Sequence, residues 1–462
     1  MSQRTLILAA TTATATALAA LTGAAAQAAP HVTSTPAAAA VGAASADFVG
    51  AQGTYQQVTP TRILDTRYGN GAPKARVGAG QEISVLVAGR AGVPQGITAA
   101  VVNLTAVDTT ASTYLTAYAS GTTRPTTSSL NVVARNTRAN LVTVPVGADG
   151  RIRIFNSSGS TDILADVLGA YNGLATPSTG IGSQYFNSDP QRFYDSRTDG
   201  GAYVPGEYVW VNADWGSDIN SKVTAYAANI TVLQGTASGY VAAGPNASPS
   251  TSTVNYGRNQ TIANMSVVPS SMIEGFPGFY VINRGPGSVQ IIIDVVGLYT
   301  KGEDSGLRFR AVPPRRIIDT RYGVGGYGTP VPADTSRQYT APSSVAGVDT
   351  FALVANTTIV KPTLSTWVTT YSNDLPKPGV SNLNAAAGET AANSTFVGLG
   401  ASNLFRVHNA KGSAPILMDV MGTFEAYPAT PPAAPATGSS QARDAATRTP
   451  SLNPSRVQSS RG

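Results

Sequence analysis

The chain has 462 residues and a formal net charge of +6, and 42% of its residues are hydrophobic while only 12% are charged. This length allows about three domains, and 47 glycines and 30 prolines in a weakly charged chain are typical of turn-rich β structure. The absence of cysteine excludes disulfides, thiol catalysis and thiolate metal sites, and the small net charge without a clustered basic face argues against nucleic-acid binding.

The first element that the sequence predicts is a signal peptide over residues 1–28. Arg4 precedes an apolar stretch that ends at Leu21, and the small-residue sequence Ala26-Gln27-Ala28 is typical of a cleavage site. The apolar run is short and rich in threonine, which disfavours a membrane anchor, and no other stretch is long and apolar enough to span a bilayer. We therefore expect a secreted protein, extracellular or at the cell surface, with no membrane contact after cleavage. Residues 29–52, rich in Ala, Thr and Ser, predict a flexible spacer.

The rest of the chain is organised by a threefold internal repeat. The motif Pro-x-Arg-x-x-Asp-Thr/Ser-Arg begins at Pro60, Pro190 and Pro314, and each copy ends on an apolar segment that carries one acid, one glycine and a final aromatic residue. We place the modules at 53–172, 184–300 and 308–427, with short linkers that favour close packing of the modules. The Pro- and Ala-rich residues 428–462 predict a disordered tail.

Inside each module, the hydrophobic pattern favours strands. Residues Arg151 to Ile154 alternate polar and apolar side chains, and short apolar runs are separated by Gly, Pro, Asn and Thr turns. About eight strands fit into one module, so we expect an all-β protein of three tandem β-sandwich or jelly-roll-like modules.

The closing strand of each module contains a single acid among apolar residues. Ile163 to Leu168 is apolar on both faces except for Asp166, which places this carboxylate in the interior. An unpaired buried carboxylate is costly, so we expect Asp166 to pair with Arg62 or Arg67 of the opening motif. The predicted structural ion pairs involve Arg62, Asp65, Arg67 and Asp166 in the first module, Arg192, Asp195, Arg197 and Asp294 in the second, and Arg316, Asp319, Arg321 and Asp419 in the third.

These motifs resemble a tandem module of secreted actinobacterial proteins that starts with Pro-x-Arg-x-x-Asp-Thr-Arg and ends with Asp-Val-x-Gly-x-Tyr/Phe. The resemblance covers almost all of the chain between spacer and tail, and implies an extracellular or cell-surface β module, often joined to other domains, without implying an activity or a ligand. The second copy departs most, with Ser196 in place of Thr and Gly244 where the other copies have Tyr118 and Tyr371.

Little in the sequence is suited to catalysis. The chain has two histidines, His31 and His408, which are not arranged for a Ser-His-Asp triad, and no His or Glu spacing predicts a metal site or another cofactor. Asp65 facing Asp166 would permit carboxylate-dependent glycan hydrolysis, but the neighbouring arginines are expected to lower the carboxylate pKa and disfavour a general acid.

Aromatic residues supply the candidate ligand contacts. Glycine-rich segments follow the opening motif and would form a shallow groove with a tyrosine platform for a sugar, although such segments are more often ordinary turns and strand aromatics are more often core. The candidates are Tyr68, Tyr118, Trp210, Trp215, Tyr322 and Trp367.

The sequence thus favours a non-catalytic secreted surface or matrix protein whose repeated modules bind polysaccharide or cell-wall glycan, because tethered weak sites gain avidity. A purely structural or adhesive protein is the alternative, and a carboxylate-dependent glycan hydrolase is the least favoured.

Overall fold

The computed structural model describes residues 48–176, 182–302, 306–427 and 452–462. The predicted signal peptide, residues 29–47 of the spacer and residues 428–451 of the tail lie outside the described residues. The regular secondary structure of the described chain is almost entirely β-strand, with one four-residue α-helix, α1, at Ser217–Asn220.

Each module contributes eight equivalent strands, and the second has one more, β15. The first module contains β1 (Tyr55–Asp65), β2 (Glu82–Leu86), β3 (Ile97–Val107), β4 (Thr113–Ala119), β5 (Leu130–Val132), β6 (Arg138–Pro145), β7 (Arg151–Asn156) and β8 (Asp162–Asn172). The second contains β9 (Ser183–Asp195), β10 (Tyr208–Asp214), β11 (Val223–Leu233), β12 (Gly239–Gly244), β13 (Val254–Tyr256), β14 (Ile262–Pro269), β15 (Ser271–Ile273), β16 (Phe276–Asn283) and β17 (Gln290–Lys301). The third contains β18 (Leu307–Asp319), β19 (Thr335–Thr340), β20 (Thr350–Val360), β21 (Thr366–Ser372), β22 (Leu383–Ala385), β23 (Thr390–Gly398), β24 (Leu404–Asn409) and β25 (Ile416–Ala426), and β26 (Arg456–Arg461) follows.

The strand order identifies each module as a jelly roll. In the first module, one antiparallel sheet has the order β1-β8-β3-β6 and the other the order β2-β7-β4-β5. The same two orders recur at the equivalent strands of the second and third modules. We call the β1-type sheet of each module its inner sheet and the β2-type sheet its outer sheet. The predicted all-β class with sandwich or jelly-roll modules is confirmed.

The inner sheets are covered on both faces. One face packs against the outer sheet of the same module, and in the first module Leu104 of β3 and Ile154 of β7 belong to the same core. The other face packs against the inner sheets of the other two modules around a shared aromatic cluster, which we call the hub. The hub contains Tyr55, Tyr171, Tyr185, Tyr299, Phe309 and Phe424. This double coverage explains why the closing strands are apolar on both sides.

The repeated glycine of the closing strand makes room for the hub rings. A Cβ built on Gly169 would lie 2.2 Å from the hydroxyl oxygen of Tyr55, and one on Gly297 would lie 2.3 Å from that of Tyr185. A Cβ on Gly422 would meet the ring of Phe309 at 2.2 Å. The lack of a side chain at each glycine therefore allows an aromatic ring of the opening strand to lie directly against the closing strand.

The three modules form a closed ring through asparagine side chains. Asn264 of the second module donates to Asn103 of the first at 2.9 Å, and Asn393 of the third donates to Asn229 of the second at 2.9 Å. Asn140 of the first module donates to Asn356 of the third at 3.0 Å, which completes the cycle. These asparagines are at most 4% exposed, so their amides are satisfied across the module boundaries.

The spacer prediction does not hold for residues 48–52. The backbone N–H of Phe309 donates to the carbonyl of Gly53 at 2.8 Å, and Arg308 donates to the carbonyls of Gly50 and Gln52. Phe48 is 5% exposed and its ring contacts Tyr427 edge-on. These contacts join the segment to the third module, immediately before β1 of the first module begins.

The tail prediction is likewise wrong for residues 452–462. Strand β26 pairs antiparallel with β10 along Val209 to Asp214. Its composition is too polar to build a core, but it needs none, because it adds to the edge of an existing sheet.

Among the described residues, no helix is long and apolar enough to cross a bilayer.

Candidate functional site

An arginine–aspartate network joins the opening and closing strands of every module. In the first module, Arg62 donates from Nε and Nη2 to the two oxygens of Asp166 at 2.6 and 2.9 Å. Its Nη1 donates to Asp65 at 3.1 Å, and Arg67 donates to both oxygens of Asp65 at 2.9 and 2.7 Å. Arg62, not Arg67, is therefore the partner of the buried acid.

The other two modules repeat the network with the same atoms. Arg192 donates to Asp294 at 2.8 and 3.3 Å, and Arg316 donates to Asp419 at 2.8 and 3.0 Å. The side chains of the closing-strand acids are 1% exposed in all three modules. Asp195 is held by Arg197, and Asp319 by Arg321, as Asp65 is held by Arg67.

The acids of the opening motif and the acids of the closing strand have pKa shifts of opposite sign. Hydrogen bonds from Arg67 hold the pKa of Asp65 below its usual value, and Arg197 does the same for the pKa of Asp195. Burial, in contrast, raises the pKa of Asp294 to about 6, although Arg192 opposes the shift, and burial also raises the pKa of Asp419. The expectation that arginine lowers the pKa of every one of these acids is wrong for Asp294 and Asp419, because desolvation outweighs the ion pair.

Two equivalent clefts lie at module boundaries, each with one arginine pair on its wall. The first, about 470 Å³, is lined by Arg62, Arg67 and Thr105 of the first module and by Tyr240, Ser252 and Asn255 of the second. The second, about 630 Å³, is lined at the corresponding positions by Arg192, Arg197 and Thr231 of the second module and by Trp367, Ser381 and Asn384 of the third. Each cleft therefore requires at least two modules, and Arg138 of the first module also lines the second cleft.

The third boundary brings the same surfaces together. Asn356 donates to the backbone carbonyl of Ser128 at 2.6 Å, as Asn103 does to Ser252 and Asn229 to Ser381. The residues at the cleft positions of this boundary are Arg316, Arg321, Thr358, Tyr114, Ser128 and Asn131. We refer to the two clefts, together with the equivalent surface at the third boundary, as the boundary clefts.

A threonine hydroxyl without a partner recurs at each boundary. Thr105 and Thr231 line the two clefts, and Thr358 is their counterpart in the third module. Each is 2% exposed, and its hydroxyl makes no hydrogen bond within the described part of the chain. A buried hydroxyl without a partner is costly, and this one recurs at three equivalent positions.

An exposed aromatic residue stands at the same position in each module. Tyr114, Tyr240 and Trp367 are 41%, 38% and 39% exposed, and each lies opposite an asparagine on the neighbouring strand. Trp367 was predicted from the sequence as a ligand contact, whereas Tyr114 and Tyr240 were missed. Alignment of the repeats at Thr113-Tyr114, Gly239-Tyr240 and Thr366-Trp367 carries the signal that would have found them.

The other predicted aromatic contacts have mixed outcomes. Tyr68 and Tyr322 are 75% and 78% exposed and lie beside the guanidinium groups of Arg67 and Arg321. Trp210 is partly exposed on β10, opposite Ser460 of β26.

Tyr118 and Trp215, also predicted as ligand contacts, are both buried, and their polar atoms are already satisfied within the chain. Tyr118 donates to Glu82, and the indole of Trp215 donates to Tyr226 at 2.8 Å.

Every acid of the network is engaged by at least one arginine. The closing-strand acids are buried behind their arginines, and the opening-motif acids accept two guanidinium groups each. Within the described ranges, no group of three His, Asp or Glu side chains is placed to hold a metal ion.

No protein-family model matches the chain, and no curated protein sequence matches it.

Proposed function

We propose that the chain is a secreted, non-catalytic surface or matrix protein that binds extracellular or cell-wall polysaccharide in its boundary clefts. The observation that carries the proposal is the recurrence of one chemical set: an exposed aromatic ring, an arginine pair, an asparagine and an unpartnered buried threonine hydroxyl. An aromatic ring offers a flat apolar surface to the C–H face of a sugar, and the polar groups offer hydrogen bonds to its hydroxyls.

The charge of the first cleft favours a neutral glycan over a polyanion, and the second cleft has one further cation, Lys411, beside the Arg138–Glu389 pair. In the first cleft, Arg62 and Arg67 are balanced by Asp65 and Asp166, so the network has no net charge. Its arginines still present N–H donors, because the side chain of Arg67 is 37% exposed and its Nη1 makes no hydrogen bond within the described residues. Hydroxyl groups suit such donors without the salt-sensitive attraction that a polyanion would add.

The closed ring holds the sites at fixed separations. Three weak sites on one rigid body act together on a repetitive polymer, because the second and third contacts form at high effective concentration. The resemblance of the repeat to modules of secreted actinobacterial proteins agrees with an extracellular polymer as the target.

The experiment is retention of the full chain on insoluble polysaccharides, compared with a triple variant Tyr114→Ala, Tyr240→Ala, Trp367→Ala. We expect the variant to lose most of the retention, since each ring contributes about 1 kcal/mol and the three act together. The matched control is Tyr327→Ala, which removes an exposed ring that lines neither cleft and should leave retention unchanged.

Equal retention of the triple variant and the wild type would exclude the clefts as the binding site. Retention of the wild type on none of the polysaccharides leaves a structural or adhesive role, which the inter-module asparagine bonds favour because they build a rigid body. Release of reducing ends during incubation would instead support the hydrolase.

A further inference from the structure

The C-terminal strand occupies an edge that the fold otherwise leaves open. In the first and third modules, β2 and β19 are the last strands of their outer sheets, with one neighbouring strand each among the described residues. In the second module, the equivalent strand β10 has a second neighbour, β26, in antiparallel register from Val209↔Arg461 to Asp214↔Arg456. The pairing continues to Gly462, whose backbone exchanges two hydrogen bonds with Tyr208 at 2.9 and 3.0 Å.

The three edges differ in their protection against pairing. The exposed edge β2 begins with Glu82, and β19 carries Arg337 at its centre. Strand β10 reads Tyr-Val-Trp-Val-Asn-Ala-Asp and has no charge before Asp214. Charged side chains discourage the addition of another strand to an edge, and β10, like β2, carries only one, at its end, but offers seven residues where β2 offers five. The second module therefore has an edge suited to receive a strand.

The contacts of the C-terminal segment are specific to the second module. Arg461 donates to the carbonyls of Gly200 and Ala202 at 2.6 and 3.0 Å, pairs with Glu207 and lies over the ring of Tyr203. At the other end of the segment, Asn453 donates to Asp189 at 2.8 Å. Val77 and Val331 stand where the second module has Tyr203, so the other two modules cannot offer the same cation–π contact.

The segment contributes few apolar contacts to the core. Only Leu452 and Val457 pack against the core of the second module, and both are partly exposed. Four of the six residues of β26 are exposed. Backbone hydrogen bonds and terminal polar contacts thus hold the strand, and an element held in this way opens locally without unfolding its host.

We propose that the β10 edge is a strand-acceptor site that also takes the C-terminal strand of a second copy, joining chains from end to side. The strand reaches β10 of its own chain through residues 428–451, and every other copy carries the same strand and the same edge. At low concentration the intramolecular contact dominates because the tether raises its effective concentration. In a concentrated layer the exchanged contact competes, and because it is heterologous it extends into chains of copies.

The absence of cysteine allows a direct test in the full chain. One population carries Ser460→Cys and another carries Trp210→Cys, which face each other across the β10–β26 pair. After mixing at high concentration under oxidising conditions, we expect a disulfide-linked heterodimer whose yield rises with concentration. The double variant in one chain provides the geometric control and should close an internal disulfide.

Matched controls measure random collision. Ser84 and Gln338 hold the position of Trp210 on the two open edges, so the Ser84→Cys and Gln338→Cys populations are each mixed with Ser460→Cys. We expect the Trp210 mixture to exceed both by about tenfold or more. Equal yields in the three mixtures would overturn the proposal.

A second pair of cysteine variants covers the case in which Trp210→Cys fails to fold. Asp214→Cys and Arg456→Cys test the other end of the same register, and absence of the heterodimer from this mixture as well overturns strand exchange. If the wild-type chain is not retained on any glycan but the heterodimer still forms, the proposed function is refuted and the acceptor site stands.

Discussion

Asp166 lies inside the first module with a side chain only 1% exposed, and Arg62 satisfies both of its carboxylate oxygens. Removal of one partner of a buried pair costs more than the pair contributes, because the other charge loses its compensation. The guanidinium of Arg62 keeps 30% exposure and a second acid, Asp65, which limits this penalty.

We therefore expect Asp166→Asn to lower the free energy of unfolding by about 3 kcal/mol, at the lower end for a buried pair. Urea denaturation followed by circular dichroism measures it. The control is Asp108→Asn, because Asp108 is 71% exposed and pairs with Arg76 at 3.5 Å; its effect should stay below about 1 kcal/mol. A cost for Asp166→Asn no larger than that of the control would show that the buried pair contributes little.

The two acids of one network predict opposite pH dependences. The pKa of Asp294 is raised to about 6 in the folded chain, so its protonation favours the fold, and stability from this group rises as pH falls from 7 to about 4. The pKa of Asp195 is lowered, so its contribution is complete above its unfolded pKa and is lost as pH falls through the lower folded pKa.

In a series of denaturation curves, Asp294→Asn should lose the rise between pH 7 and 5, and Asp195→Asn should weaken the fall below about pH 4. Parallel curves for wild type and Asp294→Asn would contradict the raised pKa.

Strands were the most predictable elements, because burial on one or both faces leaves a pattern of apolar residues. This reason fails for β26, which buries little. The alternation at Arg151 to Ile154 follows from a sheet with one face toward its partner sheet, and β7 covers this segment. The two-sided apolar pattern of β8 also indicated burial, although the hub that covers its second face was not foreseen. Strand β26 escaped prediction because its pairing depends on an edge more than 240 residues away in sequence.

The difference in burial between β26 and the core strands also predicts how fast their backbone amides exchange. Strand β16, between β12 and β10, is mostly buried, whereas β26 is mostly exposed and pairs on one side. In hydrogen exchange read by mass spectrometry, β26 should exchange about a hundredfold faster than β16, through local opening. Equal protection of β26 and β16 would indicate that the strand opens only with the whole module.

The ring determines what the repeat can do, because every boundary cleft is built from at least two modules. The sequence revealed the three copies and the buried acids, since these recur within each copy. It did not reveal the clefts, because Asn103 and Asn264 are 161 residues apart and meet only across a boundary. A repeat with short linkers is compatible with separate bodies as well as with a ring, and the asparagine contacts and the hub distinguish the two.

Calorimetry of the full chain tests this ring most directly. If the shared hub and the asparagine bonds unite the modules, the chain unfolds in one transition. The ratio of its calorimetric enthalpy to its van't Hoff enthalpy is then about 1. Three modules that unfold independently would give separate transitions, or one broad transition with a ratio near about 3, and would contradict the closed ring.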